Sequence, residues 1–134
     1  MNITSTVSKI AACALLLSGV STPIAKADIE FECKPGCWGA IAASLSNGQE
    51  VIRYNYRTKG EAEDAAVLWC DVEGKTNDCQ VVVSGLGCLS VADGSDGKAI
   101  AGRIAPTMDA ADAAALDGAG PGSKISLHAC NDWL

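Results

Sequence analysis

Apolar and polar positions along this chain fall into two similar runs. The first opens with the small apolar stretch "WGAIAAS" at 38–44, then the turn signal "SNG" at 46–48, then a second stretch near 49–56. Asn or Asp before Gly tolerates positive φ, so the signal suits a hairpin between two strands. Ile52, Tyr54 and Tyr56 alternate, which predicts one shared strand face. "TKGE" at 58–61 then fits a capping box, with Thr58 accepting from a first-turn amide and Glu61 reaching back. Ala62, Ala65, Ala66 and Trp69 recur at helical spacing, a stripe that can pack on a sheet. "CQVVVS" at 79–84 closes the run as a third strand.

The second run repeats the order. "CLSVA" at 88–92 reads as a strand, "SDG" at 95–97 as a turn, and 98–104 as a second strand. Pro106 restrains the start of a helix, Thr107 can cap it, and Asp109 favours its positive end. "GAGPG" at 118–122 stops that helix, and "KISLHAC" at 124–130 is the last strand. "EDAAVL" at 63–68 aligns with "ADAAAL" at 111–116 if one residue is dropped before the second. Alanine on both buried faces predicts close helix–sheet approach. The expected fold is α+β: a duplicated β-β-α-β unit of mainly antiparallel sheet with two alanine-rich helices. Its two halves cover 38–85 and 87–130 of a single domain spanning 38–134.

The first 27 residues fit a different role. A short polar stretch with Lys9 precedes the apolar "IAACALLLSGV", and "AKA" at 25–27 supplies a small-residue cleavage site. Residues 1–27 are therefore expected to be a signal peptide, and 28–37 an N-terminal segment carrying Cys33 and Cys37. The apolar stretch follows Cys13 instead of preceding it, which argues against a lipid anchor. Export to a secreted or periplasmic location is the expectation, with no later membrane span.

Losing Lys9 and Lys26 would move the formal charge from −6 to −8. That acidity argues against nucleic acid or an anionic membrane as partner. Six cysteines would remain after Cys13: Cys33, Cys37, Cys70, Cys79, Cys88 and Cys130. An even count in a short exported chain reads as a disulfide framework. A core poor in aromatic residues needs such cross-links.

Candidate chemistry is sparse. "CKPGC" at 33–37 admits a structural bridge, a redox pair or a metal half-site. Three residues separate its cysteines, and Pro-Gly makes a turn where a thioredoxin-type motif needs a helix start. Lys34 beside Cys33 would modestly favour a thiolate. His128, with Ser126 and Asp132 near it in sequence, is the only imidazole, but no nucleophile-elbow glycines surround either serine. "ADGSDG" at 92–97 lacks calcium-loop spacing, and "SGLG" at 84–87 lacks the Lys-Ser/Thr of a phosphate loop. Tyr54, Tyr56 and Arg57 are residue types favoured at interfaces and could form a contact patch. Trp133 is expected to cover a sheet edge.

Taken in order, "WGAIAAS", "LWC", "DCQVVVSGLGC", "CLSVADG" and "ISLHAC" resemble a family of small exported bacterial proteins, with mycobacterial and proteobacterial members, described as a domain of unknown function. The resemblance covers about Cys37 to Asn131. It implies secreted, disulfide-bonded proteins that are not known as enzymes. It also implies the pairs Cys70–Cys79 and Cys88–Cys130, which leaves Cys33–Cys37 by exclusion as a clamp beside Trp38. The expected function is an exported, non-enzymatic binding protein (effector, inhibitor or immunity-like) with no cofactor and no metal. Its partner would be a protein or an envelope component. The alternative is a thiol–disulfide redox protein acting through Cys33 and Cys37.

Overall fold

The computed structural model describes residues 36–132. The expected signal peptide, Cys33 and Trp133 lie outside these residues. Eight elements follow one another: β1 (Trp38–Ser44), β2 (Glu50–Tyr56), α1 (Lys59–Gly74), β3 (Cys79–Leu86), β4 (Cys88–Asp93), β5 (Ile100–Ala105), α2 (Met108–Ala119) and β6 (Lys124–Cys130). The order β-β-α-β occurs twice, as expected for the α+β class. The strands form two three-stranded antiparallel sheets, in the orders β2-β1-β3 and β5-β4-β6. The first strand of each half is central in its sheet. Gly87, at φ +98°, is the single-residue link between β3 and β4 that carries the chain from one sheet to the other.

The sheets pack face to face, with β1 against β4, β3 against β5 and β2 against β6. Each helix covers the outer face of its own sheet. The layers therefore run α1, first sheet, second sheet, α2. Strand alternation divides β1 between two cores. Ala40 and Ala42 pack outward with Val51, Ala62 and Ala66, while Ile41 packs inward with Leu89 and Val91. The inner layer closes over Ile52, Val82, Val83, Ile100, Ile104 and Leu127.

Glycine sets how closely the sheets approach. A Cβ on Gly102 would lie 2.9 Å from Val83 Cβ and 3.0 Å from the Val82 carbonyl oxygen. The carbonyl belongs to backbone and cannot rotate away. Gly102→Ala should therefore destabilise the fold by about 1–3 kcal/mol, read as a lower denaturant midpoint at unchanged slope. A midpoint equal to wild type would mean that the sheets part here at no cost.

Both threonine caps form. The Glu61 amide donates to Thr58 Oγ1 at 3.1 Å, and the Ala110 amide to Thr107 Oγ1 at 3.2 Å. The Glu61 carboxylate accepts from Arg57 at 3.3 Å instead of closing the capping box. Counted from the caps, the buried alanines fall four and eight residues on in both helices: Ala62 and Ala66, Ala111 and Ala115. The two helices thus correspond without a gap, and Glu63 stands where Asp112 stands, one residue away from the alignment read from sequence.

The buried line of α1 is Ala62, Ala66 and Cys70. This corrects the expected stripe through Trp69. A four-residue repeat locks Cys70 inward, and its neighbour turns about 100° away. Trp69 is 41% exposed, with the Arg53 guanidinium 4.7 Å from its ring centroid. The alternation expected for β2 also breaks. Trp38 pairs with Tyr56 and Ala40 with Arg53, so β2 holds one extra residue, and Asn55 sits at φ +70°. This bulge sends Ile52 to the inner core and Tyr56 to the α1 side.

Candidate binding surface and polar clusters

Cys70 ends the buried line of α1 and is bonded to Cys79 at the start of β3. Cys88 and Cys130 occupy facing positions on β4 and β6 and are bonded to each other. Cys37 is also disulfide-bonded and only 1% exposed, and its partner lies outside the described residues.

Two halves that share a backbone plan bury different polar pairs between helix and sheet. In the first, Ser84 donates to Glu63 at 2.5 Å. In the second, buried Ser90 donates to Asp112 at 2.6 Å, and His128 Nδ1 lies 3.0 Å from both Asp112 oxygens. Burial works to raise the Asp112 carboxyl, but the hydrogen bonds from Ser90 and His128 outweigh it and hold the group below the ordinary carboxylate range. The chemistry of this cluster follows from its order. The carboxylate sits between serine and imidazole, so the Ser90 hydroxyl already donates its hydrogen bond to the acid. Nucleophilic catalysis needs the imidazole in the middle, against an accessible hydroxyl. The neighbours expected from sequence go elsewhere: Ser126 donates to Glu50, and Asp132 pairs with Asn55.

The other motifs are used locally. Asp96 accepts from the Lys98 and Ala99 amides, at 2.9 and 3.3 Å, and so holds its own hairpin turn. These backbone bonds keep its carboxyl below the usual range. Among the described residues, no three His, Cys, Asp or Glu side chains are grouped to hold a metal ion, and no helix is long and apolar enough to cross a membrane. In "SGLG", Ser84 is bound to Glu63, and the Gly85 and Gly87 carbonyls accept from Asn131. An open apolar cleft of about 430 Å³ lies at that corner, lined by Leu86, Gly87, Ile104, Ala105 and Pro106.

Tyr54, Tyr56 and Arg57, read as a contact patch, differ in their surroundings. Tyr54 is 45% exposed, Tyr56 packs on the α1 core, and Arg57 pairs with Glu61. The most apolar exposed helix surface lies instead on the outer face of α1. Leu68 and Val72, one turn apart, are 59% and 57% exposed, with Trp69 beside them under Arg53. Exposed Glu61 and Asp64 continue the same line toward the N-terminus, and Glu73 flanks it at the other end. The helix carries five acids and one lysine, so its apolar face lies in a negative frame. In the sequence this face was obscured by Trp69, which its size and spacing assigned to the core.

No curated protein and no solved structure matches the chain. The family model for the domain of unknown function DUF4189 matches residues 38–130, from the first residue of β1 to the last of β6, and the chain belongs to this family.

Proposed function

We propose that this chain is an exported, disulfide-stabilised binding protein without a catalytic centre of its own. It engages a protein partner whose contact surface combines apolar and basic side chains. The observation that carries this reading is the outer face of α1: Leu68, Trp69 and Val72 exposed side by side, Trp69 braced by Arg53, within an acidic surround. Trp and Arg are the residue types that dominate binding energy at interfaces. Leu and Val at adjacent turns provide a surface that water leaves readily. The negative frame selects partners by charge and sets their approach rate more than their final affinity.

Supporting features agree with an extracytoplasmic binder. Two described disulfides and a third at Cys37 suit an oxidising compartment. The Ser90–Asp112–His128 cluster consumes its hydroxyl internally. Burial of Cys37 opposes the redox alternative, because exchange requires an attacking thiolate to reach a sulfur.

The test is binding by the mature protein and its Trp69→Ala variant to partners retained from the envelope and culture fluid of the producing cell. Wild type should retain a saturable, salt-sensitive partner. Trp69→Ala should weaken that binding about tenfold or more while leaving the unfolding midpoint close to wild type. A partner retained equally by both proteins would place the contact elsewhere. Turnover of a model disulfide by the mature protein, lost on Cys37→Ala, would replace this reading with the redox one.

A further inference from the structure

Glu50 begins β2 in the first sheet, while Asp93 ends β4 and Ser126 lies within β6 in the second. Their side chains meet where the two sheets face each other. Ser126 Oγ donates to Glu50 and also lies 3.4 Å from the Val91 carbonyl oxygen. Asp93 lines one cleft with Ser126, and its charge reaches Glu50. Asp93 Oδ1 is buried and has no partner.

A buried acceptor without a donor is costly, and two carboxylates in contact repel. One proton shared between the acids removes both costs. Other charged groups nearby do not supply that compensation. Lys124 of β6 lines a cleft of about 450 Å³ with Asp93 and Ser126 but forms no ion pair with either acid among the described residues. Asp96 is bound to its own turn in the β4–β5 hairpin, and Lys98 of that hairpin lines a separate cleft beside Ser44 and Ile100. Across β1, Glu50 faces Ala43, which carries no charge. Glu73 of α1 is engaged by Gln49, not by Glu50.

We infer that Glu50, Asp93 and Ser126 form a proton-sharing latch that joins the two sheets at one end of the sandwich and releases as the medium turns alkaline. With the proton present, the Glu50 hydroxyl supplies the donor that Asp93 lacks, and Ser126 bonds Glu50 from the opposing sheet. With the proton gone, two negative charges face each other between β2 and β4.

Burial, the hydrogen bond with Asp93 and the Asp93 charge push Glu50 up from 4.5 to about 7, against the opposing pull of Ser126. A raised acid binds its proton more tightly in the native state than in the unfolded one. Stability from the latch is therefore complete below pH 4.5 and is lost as pH rises through about 7.

The experiment is a carboxyl-carbon NMR titration of the intact mature protein, paired with amide exchange at 50–52 and 124–126. The variants are Glu50→Gln and Asp93→Asn. Glu50 should titrate near neutrality. After correction for intrinsic rates, exchange at both strand ends should rise about tenfold between pH 5 and pH 8 in wild type, allowing for partial solvent screening. Either variant should flatten this rise, since each removes one of the two charges. Glu50 titrating in the ordinary carboxylate range would overturn the inference. So would a wild-type rise that both folded variants retain.

Discussion

Replacing both Cys88 and Cys130 by alanine should remove about 4 kcal/mol of stability, the largest effect expected of any local change in this protein. The bond spans 42 residues of sequence and closes a loop that contains α2 and all three strands of the second sheet. Loop-entropy scaling places a cross-link of that length near 4 kcal/mol, and one spanning 9 residues, as between Cys70 and Cys79, near about 3 kcal/mol. Position adds to length. Cys88 and Cys130 face each other on adjacent strands, and β6 is an edge strand held to the domain through β4. Loss of the bond frees the strand that carries His128 and Ser126. Denaturant unfolding of the two double variants, without reductant, checks the ranking. A smaller loss for the Cys88/Cys130 variant than for the Cys70/Cys79 variant would contradict it.

Asn131→Ala should cost about 3 kcal/mol, a large effect for a polar residue just after the last strand. Asn131 is 4% exposed. Its amide nitrogen donates to the Gly85 and Gly87 carbonyls at 3.2 and 2.9 Å, and its oxygen accepts from the Asn55 amide at 3.0 Å. One side chain thus ties together the end of β3, the link between the sheets and the bulge of β2. Alanine takes that partner from the Asn55 amide and the Gly85 carbonyl, while the Gly87 carbonyl still accepts from the Asn131 backbone amide. Each buried orphan costs about 1–3 kcal/mol, partly recovered where water enters. Asn131→Asp is the control. It keeps the acceptor toward Asn55 but removes both donors and introduces a buried charge, so it should be no more stable than alanine. If both variants unfold at the wild-type midpoint, the bulge and the link are held by other contacts.

These two sites show what the sequence could and could not disclose. Local signals were legible because their physics is local. Thr58 and Thr107 cap helices with their own side chains, and Asp96 holds its own turn. Of the expected alanine stripe Ala62 and Ala66 are buried and Ala65 only partly so, and the second alanine-rich helix buries Ala111 and Ala115. What escaped depends on partners distant in the chain. Alternation in β1 says that it has two faces, not that one covers a second sheet. The bulge turns on Asn55, which sits at positive φ and whose backbone amide donates to Asn131 Oδ1, 76 residues away. Trp69 suited a core stripe by size and spacing, until Cys70, bonded to Cys79, took the inward position. The meeting of Glu50 with Ser126 across the two sheets had no signal in sequence, since 76 residues separate them.

The exposed apolar face of α1 was hidden for the same reason, and the proposed function rests on it. The most direct test places a photo-cross-linker at Leu68 on α1 or at Ala113 on the exposed side of α2, in the protein exported by its own cell. The account predicts a discrete, saturable adduct from position 68, competed by unlabelled wild type and not by Trp69→Ala, with none from position 113. Equal labelling from both helices, or no saturable adduct at position 68, would contradict it.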